Sequence, residues 1–328
     1  MQPFEYTSPK TKEQVPALLG NSWGEVEILA GGTDLLSLMK DYVTTPRRLV
    51  NIKGIQDLHA VNFNPDGSVR IGALKTLAEL AETPELQKSH PMLAHAVGDA
   101  ASPQIRNQAT LGGNLCQRPR CWYFRTGYGL LAKDKDGKSL VPNGDNRYHA
   151  ILGNEGPAYF VSPSTVAPVL IAYQAKVRIL GPQGIRELPL EKFFLVPRAE
   201  QEREHDLQPN EVVIEVVVPP ARQVHAAAYE VRQKEAFDWP YATAAVALTM
   251  NGNTVSNARV VLGHVAPIPW LSPEAAQALT GKPLTPATAD QAAQAAVAKA
   301  KSMGRNAQKI QLARVAVKRA ILKAGGVA

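Results

Sequence analysis

Two glycine-centred segments constrain this chain more than any other feature. The first reads Ile28-Leu29-Ala30-Gly31-Gly32-Thr33-Asp34-Leu35-Leu36, and the second Gln104-Ile105-Arg106-Asn107-Gln108-Ala109-Thr110-Leu111-Gly112-Gly113-Asn114-Leu115. Paired glycines permit positive φ and let backbone N–H groups approach a bound group. Successive N–H groups in such a turn form an anion-binding nest, and Thr33 and Thr110 stand where a hydroxyl adds to it. Neither segment has the spacing of a dinucleotide fingerprint or of a nucleotide phosphate loop. One alone reads as an ordinary turn. Two of one kind, each entered from an apolar run, imply a diphosphate held from both sides.

The elements around the first segment alternate. Residues 10–19 form a short helix candidate, Val26–Leu29 a strand, 34–40 a helix and 48–52 another strand, the order of a small α/β unit. Asn64-Pro65-Asp66-Gly67 is a turn between two strand-like stretches, and Thr76-Leu77-Ala78-Glu79 has the form of a helix-capping box. Residues 117–157 show little periodicity, and a loop of that length inside a domain points to function or mobility. Apolar elements follow at 166–173, 175–180 and 212–218, and Pro219-Pro220 marks a border. Beyond it come strands at 242–250 and 258–265, then helices opening at Ser272-Pro273 and Thr285-Pro286, each a hydroxyl cap with proline in the first turn. The predicted division is an N-terminal lobe over 1–57, a second lobe with an antiparallel sheet over 58–220, and a sheet-and-helix domain over 221–328.

A net charge of +7 raises the question of nucleic acid, and its distribution answers it. Eight of the 36 basic residues lie beyond Gln291, where there is no acid, which leaves 28 basic against 29 acidic residues elsewhere. Ile310, Ala313, Val317 and Ile321 recur there at helical spacing, so one face packs and the other is a charged face, solvated or docking. No aromatic residues are interleaved with these cations, which argues against a stacking platform for single strands. No apolar run reaches the ~20 residues of a membrane helix. The start lacks a signal-peptide pattern, so a cytoplasmic location is expected, with folded co-export to the periplasm on a partner as the alternative.

The glycine segments resemble those of the FAD-binding medium subunit of the molybdenum hydroxylases, the family of xanthine dehydrogenase, carbon monoxide dehydrogenase and periplasmic aldehyde oxidoreductase. Further matching landmarks are Cys121-Trp122-Tyr123-Phe124, His149-Ala150-Ile151-Leu152-Gly153, Pro168-Val169-Leu170, Phe237-Asp238-Trp239-Pro240, Leu262-Gly263-His264-Val265-Ala266-Pro267 and Asn306-Ala307-Gln308-Lys309. The pattern is nearest the aldehyde oxidoreductase and 4-hydroxybenzoyl-CoA reductase FAD subunits. The resemblance implies an α+β fold: a two-lobed FAD-binding domain of the vanillyl-alcohol-oxidase (PCMH-like) type, then a CO-dehydrogenase-flavoprotein-type C-terminal domain. It also implies FAD as cofactor, a molybdopterin-binding large subunit and a [2Fe-2S] small subunit as partners, and electron relay to an external acceptor. Two rivals stay open: a scaffold subunit without flavin, and a stand-alone flavin oxidase.

By the same resemblance Leu29, Ala30, Gly31, Gly32, Thr33, Asp34, Leu35 and Leu36 face the pyrophosphate and adenosine, with Ala101, Ile105, Thr110, Gly112, Gly113 and Asn114 opposite. Val213 matches an apolar position near a ring. Ser164-Thr165 matches a Ser-Asp pair whose carboxylate helps hold the flavin; Thr165 removes that charge, which predicts a weaker hold or a shifted potential. The pair reads equally as a helix cap. Arg106, Arg118, Arg120 and Arg125 are able to pair with phosphate or an acidic partner, and Arg118 and Arg120 read equally as surface residues. No side chain is required as an acid, base or nucleophile. Some relatives carry a [4Fe–4S] cluster in the long loop, and Cys121 aligns with its first ligand. The later positions, near Leu131, Tyr148 and Ala158, hold no cysteine, and two thiols cannot supply four ligands. No metal site is expected.

Overall fold

The computed structural model describes residues 1–233 and 237–327. Val26–Leu29 and Glu5–Thr7 lie parallel on either side of Arg48–Asn51 in a three-stranded sheet. Parallel neighbours need a crossover, and the helix Leu35–Lys40 supplies it between Val26–Leu29 and Arg48–Asn51. Leu29, Met39 and Leu49 bury together and fix the helix against the sheet. The glycine segment is therefore the turn at the carboxyl end of a strand, where the chain leaves the sheet for the helix.

A five-stranded antiparallel sheet follows, in the order Val61–Phe63, Val69–Gly72, Val212–Val218, Lys176–Gly181, Gly184–Pro189. Its two halves come from segments far apart in sequence, and the helical block containing the second glycine segment lies between them. The capping box holds as read: Thr76 accepts from the Glu79 amide while Glu79 reaches back to the Thr76 amide, at 3.2 and 3.0 Å. The helix Val166–Ala172 is buried at every position. A helix apolar all round must be covered on all sides. One side packs with Val97, Leu111 and Val177, the other on a third sheet, whose Ala245, Ala247 and Val261 join the same core.

That third sheet is antiparallel, in the order Trp270–Leu271, Thr254–Gly263, Ala242–Asn251, His225–Val231. Its opposite face carries the helices Pro273–Leu279, Pro286–Val297 and Gln308–Ala324, packed through Ala289, Ala293, Ala313, Ala316 and Val317. Small side chains let helix and sheet approach closely. Ser272 and Thr285 cap two of these helices by accepting from Ala275 and Thr288 amides. The last helix differs from the plain apolar and charged faces read in its sequence. Lys309 is 1% exposed, and Arg314 and Lys318 both pair with Asp290.

The aperiodic stretch 117–157 has a core of its own. Phe124, Leu130 and Leu131 bury with Leu38, Ala158 and Phe160, and the Glu200 carboxylate accepts from the Leu130 and Leu131 amides at 2.6 and 3.0 Å. Lys309 Nζ donates to the carbonyls of Tyr148, His149 and His264 at 2.9, 3.0 and 2.8 Å, tying the end of this excursion to the last helix. Its order comes from the chain's own contacts. Among the described residues no helix is long and apolar enough to cross a membrane.

Candidate cofactor-binding site

A cavity of about 550 Å³ lies between the first two sheets, bordered by Arg232 and Phe237 to Pro240 from the connection between two strands of the third. Of the residues singled out in the sequence, Ala30 through Leu35, Ala101, Ile105, Thr110, Gly112, Gly113, Asn114, Thr165 and Val213 line it. Three do not. Leu29 is buried beneath the first segment, Leu36 points to solvent with 38% exposure, and Ser164 is buried behind the wall. Ser164 Oγ accepts from the Ala167 amide at 2.9 Å and donates to Asn114 Oδ1 at 2.7 Å, so it caps a helix and orients Asn114. Thr165 makes no capping bond and faces the cavity.

The two glycine segments touch. A Cβ on Gly31 would lie 1.9 Å from the carbonyl oxygen of Gln108, so only glycine lets one backbone rest on the other. Gly32 has φ +74°, the left-handed region that favours glycine. The turn leaves the amides of Gly31, Gly32, Thr33 and Asp34 without a backbone carbonyl acceptor among the described residues. Four such donors at a cavity wall form a nest for an anion.

The second segment works differently from the matching nest read in its sequence. Gly112 and Gly113 sit in the helix Leu111–Cys116, and neither has positive φ. Their amides are used: Gly112 donates to the Ala73 carbonyl at 2.8 Å and Gly113 to Thr110 Oγ1 at 3.1 Å. Gly112 is required by close packing, since a Cβ there would meet that of Ala73 at 2.9 Å. This wall supplies shape rather than N–H donors. Beside it Ala101 holds φ +49°, and Arg106 clamps the turn by donating to the Ala100 and Ala101 carbonyls at 3.0 and 2.7 Å. Arg106 is thus a backbone clamp, not a phosphate partner.

Arg118, Arg120 and Arg125 are not surface residues. The Asp34 carboxylate accepts from Arg120 and Arg125 guanidinium groups at 2.7 Å each and from the Arg118 amide at 2.8 Å. Arg118 pairs with the buried Glu204 at 2.8 Å. Burial pulls Arg120 down to about 10, which leaves it cationic at neutral pH. Its guanidinium stacks 5.0 Å from the Trp239 ring centre. Asp34 therefore joins the first segment to the excursion, and Arg120 carries the link on to the C-terminal domain. At the other end Trp23, Glu27 and Arg203 line the cavity, with Arg203 4.6 Å above the Trp23 ring. Burial pushes the Glu27 carboxyl up to about 7, despite Arg203 at 3.2 Å. Sequence reasoning missed this end because its residues come from separate elements and carry no local pattern. Phe237, Asp238 and Trp239 also line the cavity; their landmark stood out in the sequence, without a role attached.

Cys121 Sγ lies 3.2 Å from His149 Nε2. Burial raises the thiol and lowers His149 to about 4, so at neutral pH both are uncharged and no thiolate–imidazolium pair forms. Burial also pushes Cys116 up to about 12. Among the described residues no three metal-ligating side chains converge.

The family profile for the FAD binding domain in molybdopterin dehydrogenase matches residues 2–221, and that for the CO dehydrogenase flavoprotein C-terminal domain matches residues 227–324. The carbon monoxide dehydrogenase medium chain of Hydrogenophaga pseudoflava is 31% identical over 295 residues, 90% of this chain and 86% of the relative. The Escherichia coli K12 aldehyde oxidoreductase FAD-binding subunit PaoB is 31% identical over 272 residues, 82% and 84% of the two chains. A solved structure of the Hydrogenophaga pseudoflava carbon monoxide dehydrogenase, lacking the Mo-pyranopterin moiety, aligns with TM-score 0.78 and 30% identity over 99% of this chain and 98% of that one. Fold and site together define an α+β flavoprotein, an FAD-binding domain followed by a flavoprotein C-terminal domain. The chain belongs to the FAD-binding medium subunits of the molybdenum hydroxylase family.

Proposed function

We propose that this chain holds FAD in the cavity between its first two sheets and serves as the electron-transfer subunit of a molybdenum-dependent oxidoreductase. The observation that carries the cofactor assignment is the row of unpaired amides from Gly31 to Asp34 on a cavity wall that Gly31 presses against the second segment. A volume of about 550 Å³ lies within the range of ligand sites. The amides suit the pyrophosphate, the wall of Gly112 and Gly113 admits it without side chains, and Val213 and Thr165 offer an apolar and a hydroxyl contact farther along. When bound, FAD supplies the redox chemistry, and the protein's share is binding, orientation and electrostatics. Asp34 keeps Arg120 and Arg125 beside the site, and Thr165 contributes no charge to it.

The partners follow from the family: a large molybdopterin-binding subunit and a small [2Fe-2S] subunit, with FAD passing electrons to an external acceptor. The cytoplasm is the proposed compartment, with co-export on a partner as the alternative. Native purification tests the whole reading. The expected result is one flavin per chain by absorbance and mass, in a complex containing molybdenum and iron. A colourless chain that takes up no added FAD refutes it.

A further inference from the structure

The two ends of the cofactor cavity differ in access. Phe237 and Trp239 at one end are 60% and 51% exposed, so that end is open to solvent. At the end formed by Trp23, Glu27 and Arg203 the wall is made by Leu19, Ile52 and Val212, all buried. The amide row joins the two. Glu27 lies on the strand Val26–Leu29 that enters the row, and Asp34 at its other end holds Arg120, which stacks on Trp239. FAD carries its two ring systems on opposite sides of the diphosphate. An isoalloxazine that exchanges electrons with other molecules needs the open end, which leaves the closed end for the adenine.

The chemistry of the closed end centres on Glu27. Arg203 is tied to the Trp23 ring and to Glu27 Oε1, which accepts from it at 3.2 Å, and His205 meets Trp23 edge-on at 6.0 Å. Glu27 Oε2 has no partner among the described residues, and the side chain keeps 22% of its surface on the cavity wall. Burial holds this carboxyl up to about 7; Arg118 opposes the rise, and Glu204 and Asp34 add to it. His205, which burial lowers to about 4, is neutral and contributes no charge. A carboxylic acid offers one O–H donor beside a carbonyl acceptor, whereas a carboxylate only accepts. Adenine presents the N6 amino donor beside the N1 acceptor, an edge that the acid alone matches. Guanine presents two adjacent N–H donors, which a carboxylate accepts. We infer that Glu27 is the residue that determines purine specificity at the closed end of the cavity, its carboxylic acid pairing with the N6 amino group and N1 of adenine.

The inference rests on the assignment of FAD to this cavity, and the probes separate the two. ADP-glucose and GDP-glucose carry the purine without flavin. Their diphosphate is esterified at both ends and lacks the second ionisation of a terminal phosphate near about pH 6. In calorimetric titration of the full chain, ADP-glucose is expected to bind at about pH 6 and to weaken by roughly tenfold or more by about pH 8.5, while GDP-glucose does not weaken. Glu27→Gln keeps one donor and one acceptor at every pH. It should bind ADP-glucose within about threefold of the parent at about pH 6 and hold that affinity at about pH 8.5. Glu27→Leu, which keeps the bulk alone, should lose about tenfold relative to the parent at about pH 6 and show no further change with pH. A parallel fall for both nucleotide sugars, no pH dependence in the parent, a surviving slope in Glu27→Gln, or displacement of ADP-glucose by riboflavin would each overturn the inference. Should the variants fail to fold by circular dichroism, the two nucleotide sugars on the unaltered chain decide it. A chain that takes ADP-glucose with this slope but no FAD defeats the cofactor assignment alone. One that takes FAD, yet ADP-glucose without the slope, defeats the role of Glu27 alone.

Discussion

Replacing Gly31 by alanine is the sharpest test of how the site is built. The new Cβ would stand 1.9 Å from Gln108 O and 2.8 Å from Gln108 C, and both obstacles are backbone. Ordinary contact begins at 3.4 Å, so the two segments must part by about 1.5 Å. Overpacking of this kind costs about 1–3 kcal/mol, and a rigid backbone neighbour places it at the upper end. The gap opens between the amide row and the opposite wall, so a ligand bridging them loses one side. A loss of about 3 kcal/mol corresponds to roughly a hundredfold in FAD affinity. The control is Gly113→Ala, also on the cavity wall: its backbone is helical, and its Cβ meets only Thr110 Oγ1, at 2.9 Å. That variant should lose less than about 1 kcal/mol, since alanine favours a helix over glycine. Flavin titration by fluorescence quenching, with circular dichroism to confirm folding, reads both. Undiminished FAD affinity in folded Gly31→Ala, or a larger loss in Gly113→Ala, would refute the reasoning.

Three further outcomes follow from the same geometry. Asp34→Asn removes the charge that holds Arg120 and Arg125, at a cost of about 3 kcal/mol for breaking a largely buried pair, and trypsin should then cut at those arginines faster than in the parent. Lys309→Met leaves the Tyr148 and His264 carbonyls without their donor, while Asn306 Nδ2 still serves that of His149; at about 1–3 kcal/mol for each unsatisfied group, urea unfolding should show a loss of at least about 2 kcal/mol. For Glu27, whose carboxyl rises from 4.5 unfolded to about 7 folded, the folded state holds the proton more tightly. Its contribution to stability is thus complete below 4.5 and is lost as pH rises through about 7. Glu27→Gln should remove that slope and gain up to about 3 kcal/mol over the parent near pH 8 in chemical denaturation; parallel pH profiles for the two proteins would contradict the shift.

What the sequence made legible was local. The capping box at Thr76 and the Ser-Pro and Thr-Pro helix starts each rest on atoms within four residues, and all three stand in the structure. The α+β class and the first glycine turn were legible for the same reason. The strand Glu5–Thr7 was not, because three residues carry no alternation and its pairing partner is Arg48–Asn51. The second glycine pair looked like the first, yet Ala73 and Thr110 take up its amides and turn it into a helix start. The arginines beside it carried no mark of burial, since their partners Asp34 and Glu204 lie 84 and 86 residues from Arg118 in sequence. Lys309 misled most, as a cation at a helical position reads as solvated until the carbonyls that surround it are known.

The clamp on Lys309 has a consequence for the order of events in the cell. Asn306 and Lys309 bind the carbonyls of His149 and Ala150, and of Tyr148, His149 and His264, yet they follow the excursion by about 160 residues in the chain. The excursion that borders the cofactor cavity can therefore settle only once Asn306 and Lys309 have been made. A nascent chain would present the first glycine turn early but without its far wall. Completion of the cavity's border is thereby timed to synthesis of the helix Gln308–Ala324, and a product lacking that helix would leave the excursion unanchored.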